Sequence, residues 1–249
     1  MSMNLVLDLG NSRCKWALAD KDLSPRGAFA YGEDFPRTLD QVFGALTRPN
    51  QVAAVSVARA AHTDTLAQWV KRQWSLDLRC FSARAVQCGV TNSYRDPAQL
   101  GADRWAALIA ARDRVPGTVC VVDCGTAVTV DALDAHGVFR GGIIFPGLAL
   151  LRESLLQRTQ GVRGADGDAC SSLALNTANA VSAGSAFGLA GAIDRILDEQ
   201  AAVLGAISSV LLTGGDAQSM QILLRHTTQL VPDLVLEGVA RMASMEGTA

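Results

Sequence analysis

Two short acidic turns in this sequence contain the residue types of a phosphate-binding site. The segment Asp8–Ser12 (DLGNS) follows an apolar run of strand length, and Asp123–Thr126 (DCGT) follows a second such run. Glycine lets backbone N–H groups approach an anion, and the amide and hydroxyl side chains can donate hydrogen bonds to phosphate oxygens. Carboxylates repel phosphate, so we expect the aspartates to hold cations that bind it. Two such turns that face each other would grip the two ends of a triphosphate.

The two turns belong to longer segments that are similar to each other. Val6–Gly32, shifted by 115 residues, overlays Val121–Gly147 without a gap. Seven residues are identical, where chance would give roughly two at this composition. A single Asp-x-Gly turn would be weak evidence, since such sequences are common in ordinary turns. The repeat therefore predicts an internal duplication of a strand–turn–strand–strand unit, with chance and shared β-propensity as the alternative. The identical residues of the first copy are Val6, Asp8, Gly10, Ala17, Leu18, Gly27 and Gly32.

Further charged residues lie where they can assist phosphoryl transfer. Arg13 and Lys15 follow the first turn and point to the same face of a predicted strand. Lys15 can reach the transferred phosphate, whereas Arg13 can equally be a solvated residue of the strand surface. Asp103 and Arg104 precede an apolar helical run, where they can act as base and charge stabiliser or form a solvated helix face.

Several glycines indicate places where another group comes close. Gly101 lies near the start of a helix that Asp96 caps and Pro97 begins, and glycine there costs roughly 1 kcal/mol relative to alanine. Thr213–Ala217 (TGGDA) has the open backbone that a flat adenine ring needs, although it can also be a plain strand-to-helix loop. Gly141–Gly147 (GGIIFPG) likewise leaves room for a neighbouring segment or a ligand.

Strands and helices that position these residues alternate along the chain, with a break at Val115–Gly117. We therefore predict an α/β protein of two domains, residues 1–115 and 116–249. The predicted strands are Asn4–Leu9, Arg13–Ala19, Gly27–Tyr31, Gln51–Ala58, Leu76–Phe81, Thr118–Asp123, Thr126–Leu133, Gly137–Ile144 and Ser208–Thr213. The predicted helices are Phe35–Leu46, one capped by Thr63, one capped by Asp96, Pro146–Arg158, Ala178–Gln200, Asp216–His226 and Leu234–Met245.

Composition excludes several other classes of function. The net charge of −2 and the lack of a basic cluster argue against nucleic-acid binding. No run of 18 or more apolar residues is present, and the N-terminus has the pattern of a strand, so we expect a cytoplasmic protein without a membrane span. The six cysteines and three histidines lack zinc-ligand spacing, and the P-loop and dinucleotide-binding glycine motifs are absent.

The chain resembles the type III pantothenate kinases, a family within the sugar kinase and actin-like ATPase superfamily. The resemblance covers nearly the whole sequence, and its most specific element is Gly-x-Asp-Arg with an upstream tyrosine. The matching segments are Asp8-x-Gly-Asn-Ser-x-x-Lys15, Asn92-x-Tyr94-x-x-Pro97-x-x-Leu100-Gly-x-Asp103-Arg104, Asp123-x-Gly-Thr126, Gly141-Gly-x-Ile-x-Pro-Gly147, Asn176-Thr177 and Thr213-Gly-Gly-Asp-Ala217. Many members carry glutamate where this chain has Asn179, so no role is assigned to that position.

The resemblance implies a fold and a set of site residues. The fold would consist of two ribonuclease H-like (actin-like ATPase) domains, duplicated mixed β-sheets flanked by helices. Asp103 would be the general base, and Asp123 would bind a monovalent cation, K⁺ or NH₄⁺. The ATP-binding residues would be Asp8, Leu9, Gly10, Asn11, Ser12, Arg13, Cys14, Lys15 and Thr126. The pantothenate-binding residues would be Tyr94, Gly101, Ala102, Asp103, Arg104 and Thr177.

The implied reaction is transfer of the γ-phosphoryl group of ATP, bound with Mg²⁺, to pantothenate. The product would be 4′-phosphopantothenate, in the first step of coenzyme A biosynthesis. The family is dimeric, and the second subunit would complete the substrate pocket. Two alternatives stay open: another small-alcohol kinase of the superfamily, or a non-catalytic ATP-binding regulator.

Overall fold

The computed structural model describes residues 3–32, 34–159, 167 and 171–246. The strands are β1 (Asn4–Leu9), β2 (Arg13–Ala19), β3 (Leu23–Ala30), β4 (Val52–Ser56), β5 (Leu78–Phe81), β6 (Val86–Gln87), β7 (Val90–Asn92), β8 (Val119–Cys124), β9 (Ala127–Leu133), β10 (Val138–Pro146), β11 (Ser209–Thr213) and β12 (Gln229–Leu230). The helices are α1 (Phe35–Phe43), α2 (Ala60–Trp74), α3 (Ala102–Arg114), α4 (Leu148–Arg158), α5 (Thr177–Leu204), α6 (Ala217–Gln221) and α7 (Leu234–Glu246).

The chain divides into two compact units. Unit 1 is Met1–Arg114 together with Asp233–Ala249, and unit 2 is Val115–Pro232. The division after Arg114 lies at the break that the sequence indicates. The helix α7, however, packs on α3 and on β1, β2 and β4, so by its contacts it is part of unit 1 rather than of a domain formed by residues 116–249.

The two units contain sheets of the same topology. In unit 1 the strand order is β3-β2-β1-β4-β5, and in unit 2 five strands follow the order β10-β9-β8-β11-β12. In each, the first three strands are antiparallel neighbours, and the last three are parallel neighbours. This shared order confirms the predicted duplication of a mixed sheet.

The residue-by-residue overlay of the two copies holds only as far as the acidic turns. Leu9 pairs with Cys14 across the first turn, whereas Cys124 pairs with Val128 across the second, so the second turn is one residue shorter. The gap-free overlay is therefore out of register beyond the turn. The identities at Val6, Asp8 and Gly10 are structurally equivalent, and the four that follow are not: Ala17, Leu18, Gly27 and Gly32.

The core of unit 1 fixes the direction in which the first turn faces. Leu5, Leu7 and Leu9 of β1 pack with residues of α1 and α2, among them Phe43 and Trp69. Burial of each such side chain stabilises the fold by roughly 1.5–3 kcal/mol. Because side chains alternate along a strand, the intervening residues of β1 face the opposite side of the sheet, where α3 and α7 pack.

Three local predictions are wrong in detail. The helix α2 begins at Ala60, so Thr63 lies within its first turns, and the Thr63 hydroxyl is 2.8 Å from the hydroxyl of Ser56. The helix α6 ends at Gln221 instead of continuing to residue 226. Asp96 caps only a short 3₁₀ turn, Pro97–Gln99, after which the extended residue Leu100 separates that turn from α3.

One helix is long and apolar enough to cross a membrane by length and composition alone. This helix is α5, and 56% of its most apolar window is buried inside the protein. Leu189, Ile193 and Leu197 of α5 belong to the core of unit 2, where they pack with residues of β8 and β9. These contacts make α5 a core helix of unit 2.

Candidate active site

The first acidic turn is a tight connection that exposes its polar residues. The Gly10 N–H donates to the carbonyl oxygen of Arg13 over 3.1 Å, and a Cβ at Gly10 would lie 3.2 Å from that oxygen. Asn11, Ser12 and Arg13 are exposed, so their side chains are available to a ligand.

Asp8 and Lys15 are direct cross-strand partners, on the sheet face that carries α3 and α7. Leu9 and Cys14, which the sequence places among the ATP-binding residues, point into the core and are at most 1% exposed. Burial, with a smaller contribution from the Asp8 charge, raises the pKa of the Cys14 thiol far above its usual range. Leu9 and Cys14 can therefore offer a ligand only their backbone.

An aromatic stack beside this turn was not predicted from the sequence. Tyr31 stacks on His62 with ring centroids 4.1 Å apart and an interplanar angle of 15°. Burial raises the pKa of Tyr31, and the charges of Cys14 and Asp8 raise it further, which places the phenol near the turn. The Tyr31 hydroxyl and His62 Nδ1 are buried without a hydrogen-bond partner in the described part of the chain.

Replacing Tyr31 with phenylalanine is expected to leave the free energy of unfolding unchanged or to raise it by about 1 kcal/mol, because a buried hydroxyl without a partner costs stability. Thr213→Val is the matched control, since the Thr213 hydroxyl donates to the Pro232 carbonyl and its loss should destabilise by about 1 kcal/mol. Urea unfolding of both variants measures the difference. A loss of stability in the Tyr31 variant as large as in the control would contradict the assignment.

The side chains of Tyr94 and Arg104 contact each other directly, and Tyr94 lies on a loop that Asn92 stabilises. Arg104 Nη1 lies 3.3 Å from the Tyr94 hydroxyl, and Arg104 is only 7% exposed. The Asn92 side chain holds the loop at both ends, because it accepts from the Tyr94 N–H at 3.0 Å and donates to the Pro97 carbonyl at 3.3 Å. The structure thus brings together the predicted tyrosine and arginine.

Asp103 lies in the first turn of α3, next to Arg104. Its carboxylate accepts a hydrogen bond of 2.7 Å from the Arg104 backbone N–H. Burial raises the pKa of Asp103 above that of an ordinary aspartate, while this hydrogen bond and the Arg104 charge oppose the rise. A buried carboxylate with a raised pKa is a stronger base than an exposed one, which suits proton abstraction.

Gly101 lies before α3, and its close neighbour is the side chain of Asp103. It precedes α3 instead of lying inside a helix, so no helix-interior penalty applies. A Cβ at Gly101 would lie 2.7 Å from Asp103 Oδ1. The close approach predicted for this glycine is thus to the carboxylate of Asp103 itself.

The second acidic turn is held by backbone contacts within unit 2. The Gly125 N–H donates to the Ala127 carbonyl over 3.2 Å, and the Gly147 N–H donates to the Thr126 carbonyl over 3.0 Å. A Cβ at Gly147 would overlap the carbonyl oxygen of Gly125. Only glycine therefore fits at this position, directly after β10. Thr126 is exposed and Asp123 is partly exposed.

The Thr213–Ala217 loop lies directly against this turn. Thr213 pairs with Asp123 in the parallel β8–β11 ladder, and the Asp216 N–H donates to the Cys124 carbonyl over 3.0 Å. Burial, followed by the charges of Asp123 and Asp216, raises the pKa of Cys124 to about 12. The predicted adenine loop and the predicted cation ligand are therefore neighbours in unit 2.

Thr177 belongs to unit 2 and lies at the N-terminus of α5. The Asn176 side chain caps this helix by accepting from the Asn179 N–H over 2.8 Å. Thr177 lines a cavity of about 530 Å³ together with residues such as Leu155 and Leu175. Of the predicted substrate residues, Tyr94 and Asp103 belong to unit 1 and Thr177 belongs to unit 2.

Duplicated mixed sheets, each with an acidic turn at the end of its first strand, define a two-domain α/β protein with the fold of the sugar kinases and actin-like ATPases. One solved structure of similar fold is the activator of 2-hydroxyisocaproyl-CoA dehydratase from Clostridium difficile with bound ADPNP. It is 15% identical, with a TM-score of 0.58, and the match covers 99% of this chain and 96% of that one.

The family is shown by the sequence comparisons. The family model for type III pantothenate kinase matches residues 4–199. A type III pantothenate kinase from Alkalilimnicola ehrlichii is 41% identical over 245 residues, covering 98% of each chain. Another from Nitrosococcus oceani is 36% identical over 249 residues, covering 97% of this chain and 94% of the relative. The chain belongs to the type III pantothenate kinase family.

Proposed function

We propose that this protein transfers the γ-phosphoryl group of ATP to pantothenate, giving 4′-phosphopantothenate and ADP in the first step of coenzyme A biosynthesis. The reaction and the substrate are inferred from membership of the type III pantothenate kinase family. The partly buried carboxylate of Asp103, next to Arg104, whose guanidinium contacts Tyr94, supports the assignment of catalytic residues. The enzyme is assigned to the cytoplasm.

The first turn is proposed to bind the ATP phosphates. Gly10 provides open backbone, Asn11 and Ser12 provide exposed donors, and Lys15 provides a positive charge beside Asp8. Arg13 is a further exposed cation at the same turn. Mg²⁺ supplies charge neutralisation when bound with ATP, and Asp8 would hold it through water. In the second turn, Thr126 would donate to a phosphate oxygen.

Asp103 is proposed to accept the proton of the primary hydroxyl of pantothenate. The hydroxyl oxygen forms a bond to the γ-phosphorus, the bond from that phosphorus to the β–γ bridging oxygen breaks, and ADP leaves. The transition state is loose, so the main contributions are alignment of the hydroxyl and neutralisation of charge, with the proton moving late. Arg104 would stabilise developing negative charge, and Tyr94 and the Gly101–Ala102 backbone would hold the substrate.

Asp123 is proposed to bind a monovalent cation, K⁺ or NH₄⁺. The described residues contain no cluster of three or more acidic, cysteine or histidine side chains that would suit a tight divalent site. The Asp123 carboxylate beside the backbone carbonyls of a tight turn instead offers a few oxygen ligands, which suits a weakly held hard cation. The donors present therefore fit a monovalent ion.

The protein is proposed to be a homodimer in which Thr177 contributes to the substrate pocket. Leu173 and Leu175, next to the cavity of Thr177, are 83% and 98% exposed, which is unfavourable for an isolated chain. Leu175→Asp is expected to shift the protein from dimer to monomer in light scattering, since it places a charge in an apolar contact. Ile222→Asp is the matched control, because Ile222 is 82% exposed elsewhere on unit 2. A monomeric parent protein, or a fully dimeric Leu175 variant, would contradict the proposal.

A coupled ADP-release assay tests the proposed reaction. Purified protein with ATP, Mg²⁺ and K⁺ should produce ADP rapidly only when pantothenate is added. Other small primary alcohols in the same assay should give little ADP, and omission of K⁺ should slow the reaction. Rapid ADP release with a different alcohol, and not with pantothenate, would overturn the substrate assignment.

A further inference from the structure

We propose that Gly214 is a positioning residue that couples nucleotide binding to monovalent-cation binding. It would do so by fixing the adenine loop against the carboxylate of Asp123. The inference rests on the proposed function, since it takes Asp123 as the cation ligand and Thr213–Ala217 as the adenine loop. It adds the physical connection between the two.

The contact between Gly214 and the end of β8 is closer than any other residue type would allow. A Cβ at Gly214 would lie 2.5 Å from Asp123 Oδ1 and would overlap the carbonyl oxygen of Cys124. Real Cβ atoms do not come within 3.0 Å of other heavy atoms, so one of the two segments would have to move. Gly214 also has a φ of +99°, a backbone conformation that favours glycine.

The atoms around this contact cannot easily move aside. Thr213 is 1% exposed, and its neighbours in the ladder hold β11 in register with β8. The Asp216 N–H donates to the same Cys124 carbonyl over 3.0 Å, which ties the far side of the loop to β8. Any displacement of the loop therefore changes the surroundings of the Asp123 carboxylate, and any displacement of that carboxylate disturbs the loop.

The adjacent glycine shows that the constraint is specific to one position. A Cβ at Gly215 would meet no heavy atom within 4 Å, and its φ lies outside the left-handed range. Gly215→Ala is thus a matched control for Gly214→Ala, since it adds the same methyl group to the same loop without a clash.

Titrations of K⁺ and of the substrates distinguish a loss of coupling between the K⁺ and ATP sites from a general loss of enzyme function. In Gly214→Ala, we expect the half-saturating K⁺ concentration and the ATP KM to rise together by about tenfold or more, a change of about 1.4 kcal/mol each. The pantothenate KM should stay within about twofold, because the groups that hold that substrate lie elsewhere. In Gly215→Ala the half-saturating K⁺ concentration should stay within about twofold of the wild-type value, whatever the added methyl group does to the ATP KM.

A binding measurement without turnover tests the coupling itself. Calorimetric titration of the non-hydrolysable analogue ADPNP, in K⁺ and then in choline, gives the factor by which K⁺ strengthens nucleotide binding. That factor should be large in the wild type and in Gly215→Ala, and close to one in Gly214→Ala. A K⁺ factor in Gly214→Ala equal to that of the wild type would overturn the inference.

Three results with the wild type keep the inference testable if Gly214→Ala folds poorly. In the wild type, K⁺ alone should slow hydrogen exchange in a peptide that contains residues 213–217, and unchanged exchange there would overturn the inference. A wild-type enzyme that phosphorylates pantothenate without any K⁺ dependence would overturn both the cation site and the coupling, while leaving the proposed reaction intact. A wild type that binds K⁺ and ADPNP cooperatively, but does not phosphorylate pantothenate, would support the coupling and refute the reaction.

Discussion

Replacing Asp103 with asparagine should lower turnover by about 10² or more, the usual scale for loss of a positioned general base. ATP affinity should be nearly unchanged, because the phosphate-binding turn at Gly10 involves different residues. Asparagine keeps the shape of the side chain and can still accept a hydrogen bond from the Arg104 N–H, so the change removes mainly the charge. Turnover measured under saturating substrates, with ADPNP binding as the control, separates the two effects. Near-normal turnover would rule out Asp103 as the base.

The raised pKa of Asp103 also predicts how activity and stability depend on pH. Because only the ionised carboxylate can accept the proton, kcat should fall as the pH drops through this raised pKa, above the usual range for aspartate. The folded state binds the Asp103 proton more tightly than the unfolded state. Its contribution to stability is therefore fully present below the unfolded pKa and is lost as the pH rises through the folded pKa. Asp103→Asn should thus be at least as stable as the wild type at neutral pH, and a strong loss of stability would contradict the conclusion that burial raises the pKa of Asp103.

Replacing Gly238 with alanine should destabilise unit 1 by about 1–3 kcal/mol or more, the scale of overpacking in a dense core. A Cβ at Gly238 would lie 2.5 Å from the carbonyl carbon and 2.9 Å from the Cα of Ala106, and it would overlap the Ala106 carbonyl oxygen. The clash falls on the backbone of α3, which cannot adopt another rotamer to relieve it. Since α3 carries Asp103 in its first turn, turnover should fall as well.

A second helix glycine provides the control for this change. Gly191 lies in α5, and a Cβ there would meet no heavy atom within 4 Å. Gly191→Ala should therefore stabilise the protein by up to about 1 kcal/mol through helix propensity. Urea unfolding of both variants compares the same chemical change with and without a neighbouring backbone. Equal effects of the two substitutions would show that α3 and α7 are not packed as closely as described.

The sequence was sufficient to predict features that depend on local patterns. The strand that contains Asp8 and the strand that contains Asp123 are apolar runs followed by glycine turns, and both form as predicted. The mixed sheet of each unit followed from the repeat of this pattern and from the family resemblance. The roles of the individual site residues remain predictions, to be tested by the substitutions above.

Features that depend on tertiary contacts were not predictable in the same way. The second turn is one residue shorter than the first, and a gap-free overlay conceals this because Gly and Ala recur by chance. The reason for Gly101 is a contact with a side chain two residues later, which no helix propensity can indicate. The Tyr31–His62 stack joins the residue that follows β3 to the helix α2, which is distant in sequence, and neither residue matches a motif.

The assignment of α7 to unit 1 means that unit 2 interrupts unit 1 in the chain. During synthesis, every segment of unit 2 is made before α7, so the second half of the sequence can fold while the first still lacks the helix that covers α3. The nascent protein would therefore expose the apolar surface of β1, β4 and α3 until α7 has been synthesised. Unit 1 is the part of the enzyme for which protection by chaperones should matter most, and a truncation before Leu234 should cause aggregation.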